Sequence, residues 1–130
     1  MNKITIALDG PSGAGKSSLA KEIAKRLDIL YLDTGALYRT IGLHTANSGV
    51  DPDDPEAVAA LLPTADIDVE LVDGHQVTYL GGEAVGDKIR TPEMSDYASK
   101  VSAIPAVRAF LLELQRTIAK KNSVIMDGRD

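Results

Sequence analysis

Eight residues, Gly10-Pro11-Ser12-Gly13-Ala14-Gly15-Lys16-Ser17, restrict this chain more than any other stretch. They fill every fixed position of G-x-x-x-x-G-K-[ST]. Ile4 to Leu8 reads as a short buried strand before them. Ser18 to Leu27 reads as a helix after them, with Leu19, Ala20, Ile23, Ala24 and Leu27 on one face. Glycines at 10, 13 and 15 let the backbone turn tightly and bring its N–H groups close to an anion. The first helical turn, Ser18 included, adds unpaired N–H groups and the positive end of the helix dipole. Lys16 reaches the β- and γ-phosphates of a bound nucleotide, and the Ser17 hydroxyl ligates Mg²⁺. Strand, glycine loop, Lys-Ser pair and helix coincide, which a ligand-free glycine turn does not require.

The other elements follow in α/β order. Asp28 breaks the helical pattern, and Ile29 to Leu32 is a second strand ending in Asp33-Thr34-Gly35. Strand, helix, strand is the unit of a parallel sheet. Thr34 is the expected N-cap of a helix from Ala36 to Asn47, with Leu37, Ile41 and Ala46 inward. Asp51 to Pro55 turns into a short helix, Glu56 to Leu62, stopped by Pro63. Ile67, Val69 and Leu71 alternate with more polar neighbours as a half-exposed strand. Asp73-Gly74 signals a hairpin, Gln76 to Leu80 returns, and Glu83 to Val85 makes a third antiparallel strand. The acidic residues Asp66, Asp68 and Glu70 read as a solvated strand face. Thr91 caps a helix to Ala103 that has Pro92 in its first turn. Pro105 opens a longer one, carried by Val107, Phe110, Leu111, Leu114 and Ile118. Ser123 to Met126 is a third buried strand, followed by Asp127-Gly128-Arg129-Asp130. Ligands of open α/β sheets bind beyond the carboxyl ends of the strands, so three loops are expected to converge on one crevice.

A chain of 130 residues with net charge −5 is about one domain and is not expected to bind nucleic acid, for which a basic patch is the usual sign. It has no cysteine, hence no disulfide or thiolate metal site. No apolar run approaches the ~18 residues of a membrane span, and the N-terminus lacks the apolar run of a signal peptide. A cytoplasmic protein with no membrane partner is expected.

Phosphoryl transfer needs positive charge around the moving group. Arg26 and Arg116 fit solvated helix faces. Arg39 follows the second strand by one helical turn and Arg129 sits at the tip of the third, a pair suited to an anion. Arg90 lies just before a helix cap. Arg108 has Ile104, Leu111 and Leu112 as helical neighbours, so its stem is expected on apolar surface. Asp127 ends an apolar strand in the manner of a Walker B carboxylate and would hold Mg²⁺ directly or through water. Asp33 closes the second strand similarly, as N-cap, ligand of a metal-bound water or base. His44 reads as structural, and His75 as a residue of the hairpin turn.

Gly10 to Ser17, Leu32 to Arg39, Ile89-Arg90-Thr91, Ala98-Ser99, Val107-Arg108 and Asp127 to Asp130, in this order and with a β-meander between, together resemble bacterial cytidylate kinase. The glycine loop is shared widely; D-[ST]-G-x-x-Y-R and D-G-R-D are more specific. The resemblance implies a phosphotransferase moving the γ-phosphoryl of ATP to CMP or dCMP, with Mg²⁺. Its implied fold is a P-loop nucleoside monophosphate kinase. A parallel-sheet core, residues 1–35 and 105–130, would carry an inserted monophosphate-binding domain, residues 36–104. By position, the resemblance places Thr34, Tyr38, Arg39 and Arg129 at the acceptor sugar and phosphate, and Arg90 among the substrate-binding residues. It places Ser99, Arg108 and Asp130 at the cytosine. A carboxylate accepts from the 4-amino group and a guanidinium donates to ring acceptors. Lys16, Asp33 and Arg129 are the expected catalytic residues. The family continues beyond this pattern with a lid. The chain is therefore expected to be a truncated portion, inactive alone and prone to self-association, of an enzyme that is a monomer when intact. The alternatives are another small-molecule P-loop kinase and a P-loop GTPase-type switch. No Asn-Lys-x-Asp guanine-reading sequence is present.

Overall fold

The computed structural model describes residues 5–7, 16–73 and 75–126. The fold is helix-rich α/β with two separate sheets. In chain order come β1 (Thr5–Ala7), α1 (Lys16–Leu27), β2 (Leu30–Tyr31), α2 (Thr34–Asn47) and α3 (Pro55–Leu61). Then follow β3 (Ile67–Val72), β4 (His75–Leu80), β5 (Glu83–Ala84), α4 (Pro92–Ser102), α5 (Pro105–Lys121) and β6 (Val124–Met126). Single 3₁₀ turns occupy Leu62–Thr64 and Gly86–Ile89.

β1, β6 and β2 form a parallel sheet in that order. The last strand in sequence is therefore the middle one, with Val124 opposite both Thr5 and Leu30. Alternation decides what each strand residue touches. Val124 and Leu30 join the larger apolar cluster, with Leu37 and Ile41 of α2 and Val107, Leu111 and Ile118 of α5. Ile125 turns to the other face and packs with Ala20 and Ala24 of α1. Burial on both faces is why β6 is apolar at both Val124 and Ile125. The larger cluster continues through Val58, Ile67 and Val69, so α3 and β3 share it.

β3, β4 and β5 make the expected antiparallel meander. Asp73 takes φ +52°, and Val72 faces His75 across a two-residue loop. His75 is thus the first residue of β4 rather than part of the turn. In α1 the buried stripe is narrower than its periodicity suggests. Ala20 and Ala24 are buried, whereas Leu19 is 54% and Leu27 52% exposed. Leu27 is the helix's last residue, where Asp28 at φ +54° already turns the chain. Pro63 does not stop the chain outright: it sits in the first turn of the 3₁₀ segment that continues α3, a position where its missing N–H costs nothing. Thr91 caps α4 as expected, its side chain accepting from Met94 N at 3.1 Å.

α2 and α4 cross closely because Gly42 has no side chain. A Cβ there would lie 2.9 Å from Tyr97 Cβ and 3.3 Å from Ala98 N. Gly42→Val is expected to destabilise the fold by about 1–3 kcal/mol, since backbone must shift to admit it. Thermal unfolding checks this; an unchanged Tm would mean the helices tolerate a wider crossing.

Candidate functional site

All three strands of the parallel sheet point the same way, so their carboxyl ends share one edge. Asp33-Thr34-Gly35 follows β2 on that edge. Gly10 to Gly15 and Asp127, Gly128, Arg129 and Asp130 lie outside the described residues. Lys16, Ser17 and Ser18 form the first turn of α1, which carries no acidic residue.

The cap of α2 is Asp33, one residue before the expected Thr34. Its backbone is extended at φ −86°, ψ 99°, and its carboxylate accepts from Ala36 N at 3.3 Å. Aspartate is among the preferred caps, and Thr34 becomes the first helical residue. Of the three roles open to Asp33 in the sequence, capping is the one its geometry displays.

Two adjoining clefts open beside this helix start. One, of about 270 Å³, lies between α2 and α4 and is lined by Gly35, Tyr38, Arg39, Ser95, Ser99 and Ser102 among others. The second, about 190 Å³, is lined by Asp33, Ala36, Arg39, Ile89, Arg90 and Ser95. Arg39 and Ser95 belong to both. Gly35 keeps the junction open: a Cβ there would meet Asp33 Oδ1 at 3.2 Å and Arg39 Nη1 at 3.3 Å. Asp33 and Arg90 also line a wider groove of about 750 Å³ with Lys21, Tyr31, His75 and Gln76. There Lys21 Nζ stands 5.8 Å over the Tyr31 ring.

Charge on the second cleft is unbalanced. Arg39 makes no ion pair among the described residues, and Arg90 has only a long contact to Asp87, 3.9 Å with both side chains exposed. An exposed pair of that length contributes little. Two guanidinium groups facing one small cavity suit a bound anion, which a planar fork holds well.

The structure therefore gathers Asp33, Tyr38, Arg39, Arg90 and Ser99 around adjoining cavities, with Thr34 in the same helix turn. Arg108 does not join them: it is an exposed residue of α5 and lines neither cleft. Ser95 and Ser102 are additions that sequence reasoning passed over. They flank Ser99 at helical spacing, so extending the search one turn each way from Ser99 would have found them. Ser102 Oγ donates to Ser99 O at 2.8 Å. His44 Nε2 lies 2.8 Å from Thr64 Oγ1, in keeping with a structural role. Among the described residues no group of three His, Cys, Asp or Glu is placed to hold a metal, and no helix is long and apolar enough to cross a membrane.

Comparison with known proteins bears on the whole length. The family model for cytidylate kinase matches residues 6–130. A cytidylate kinase of Caldicellulosiruptor bescii is 48% identical over 130 residues, all of this chain and 58% of that protein. One from Clostridioides difficile is 45% identical over the same span and share. One from Mycobacterium leprae is 44% identical over 131 residues, 57% of its length. The chain thus spans somewhat more than half of the relatives it matches. With a family match over residues 6–130 and identities of 44–48% over the whole chain, the chain belongs to the cytidylate kinase family.

Proposed function

We propose that the protein transfers the γ-phosphoryl group of ATP to CMP or dCMP, giving the diphosphate. The observation that carries this is Arg39, shared by two clefts at the carboxyl edge of the parallel sheet and without an ion-pair partner among the described residues. Arg39 and Arg129 hold the acceptor phosphate, with Arg90 lining the same cleft as Arg39. Tyr38 and Thr34 flank the acceptor; Ser99, Arg108 and Asp130 read the base. The donor site is Gly10 to Ser18. The first turn of α1 has no carboxylate to neutralise its positive end, which fits a polyphosphate ligand. Ser17 and Asp127 are the residues that would hold Mg²⁺, which when bound screens the phosphate oxygens. The chain's own part is positioning: donor and acceptor are held in line.

The inserted-domain layout is part of the same reading. Strands of the parallel sheet come from both sides of residues 36–104, while β3, β4, β5, α3 and α4 all fall inside that interval. A panel assay of the full-length protein with CMP, UMP, AMP and shikimate tests the function. Preferred turnover of CMP is expected. A preference for shikimate or AMP would replace this reading with the rival small-molecule kinase.

A further inference from the structure

We propose that Gln76 is a positioning residue for the acceptor site, its side-chain amide fixing the Asp33 peptide from which α2 starts. The proposal rests on the reading of the Arg39 clefts as that site. β2 is an edge strand, since the order is β1, β6, β2. Its ladder to β6 uses Leu30 N, to Ser123 O at 3.0 Å, and Leu32 N, to Ile125 O at 2.8 Å. Strand alternation turns the N–H of the next odd residue, Asp33, toward the open side. An edge N–H needs a partner, and Gln76 supplies it from a strand 43 residues on, accepting from Asp33 N through Oε1 at 2.7 Å. Gln76 Nε2 donates to Asp33 O at 3.4 Å and to Thr78 Oγ1 at 3.2 Å. The amide thus stands in for a missing neighbouring strand, gripping both backbone groups of one residue. The reversed amide is excluded, because Nε2 would then face the Asp33 N–H, donor against donor.

The grip acts where direction matters. Asp33 caps α2 with its side chain while Gln76 holds its backbone, so the helix start is fixed on two sides. Tyr38 and Arg39 lie within two turns of that start. Gln76 also lines the groove that Asp33 and Arg90 share, which ties the β3–β4 hairpin to the cleft.

The test uses the full-length protein with Gln76→Leu, which keeps bulk and removes the acceptor, and Gln76→Glu, which keeps an acceptor for Asp33 N. Gln76→Leu is expected to raise KM for CMP about three- to tenfold, the span one net hydrogen bond carries, with KM for ATP within about twofold of wild type. Gln76→Glu is expected to restore part of the loss. Amide exchange at Asp33 should quicken by a similar factor in Gln76→Leu. A CMP KM within about twofold of wild type, an equal rise for ATP, or unaltered exchange at Asp33 would each overturn the proposal. Should wild type leave CMP untouched, the function reading falls, and exchange at Asp33 by itself decides whether Gln76 holds the peptide.

Discussion

Lys16→Ala in the full-length protein is expected to lower phosphoryl transfer to CMP by about 10²-fold or more, equivalent to ~3 kcal/mol of transition-state stabilisation. Charge moves toward the leaving oxygen as the phosphoryl group departs, and a fixed ammonium there stabilises the transition state more than the ground state. Lys16 is the first residue of α1. That helix has no acid in its first turn and has Lys25 and Arg26 in its last. Its basic end therefore suits the negative pole, and its positive pole is left open for an anion. Lys16→Arg should recover little of the loss, because a wide planar fork does not replace a compact ammonium. The measurement is kcat with saturating ATP and CMP, alongside a thermal unfolding curve that shows the variant folded. Turnover near wild type would remove the glycine loop from the donor site and with it the proposed direction of transfer.

How much of this was legible in the sequence depended on whether the cause was local. The α5 stripe, the Thr91 cap, the Asp73-Gly74 hairpin and the apolar runs of β1, β2 and β6 are each set by neighbours a few residues away, and each stands where the pattern places it. What pattern reading misses is polar burial. Thr40 and Thr45 are as buried as the leucines beside them. Each donates its hydroxyl to a carbonyl one turn back in its own helix, Ala36 O at 2.7 Å and Ile41 O at 2.8 Å. Such a threonine packs like an apolar residue while its letter reads polar. The site divides the same way. Asp33, Tyr38, Arg39, Arg90 and Ser99 stand in short motifs that the sequence displays; Ser95, Ser102 and Gln76 reach the clefts and groove only through folding. Nothing in the periodicity of β4 says that one of its side chains will complete the edge of β2. Nor does chain order say that β6 enters the sheet between β1 and β2, a placement that makes the ends of β2 and β6 neighbours.

Asp130 is expected to set the choice of base. Cytosine presents an amino group where uracil presents a carbonyl oxygen, and an ionised carboxylate can only accept. Facing cytosine it gains a hydrogen bond; facing uracil it meets another acceptor and loses its own solvation. Sites built to bond a substrate group reject an analogue lacking it by up to ~10⁴-fold. CMP is therefore expected to exceed UMP in kcat/KM by a wide margin, and Asp130→Ala to narrow that margin by about 10²-fold or more, chiefly by lowering the CMP value. Asp130→Asn separates this account from a loss of fold. Its amide donates one way round and accepts the other, so it is expected to raise UMP turnover above wild type while CMP falls. Arg108 is the second residue assigned to the base. It is exposed on α5 and lines neither cleft, so Arg108→Ala reports whether the base is read on that side of the site as well. If the CMP-to-UMP ratio is unaltered in Asp130→Ala and in Asp130→Asn, base recognition resides elsewhere, and the serines of α4 at 95, 99 and 102 become the groups to substitute next.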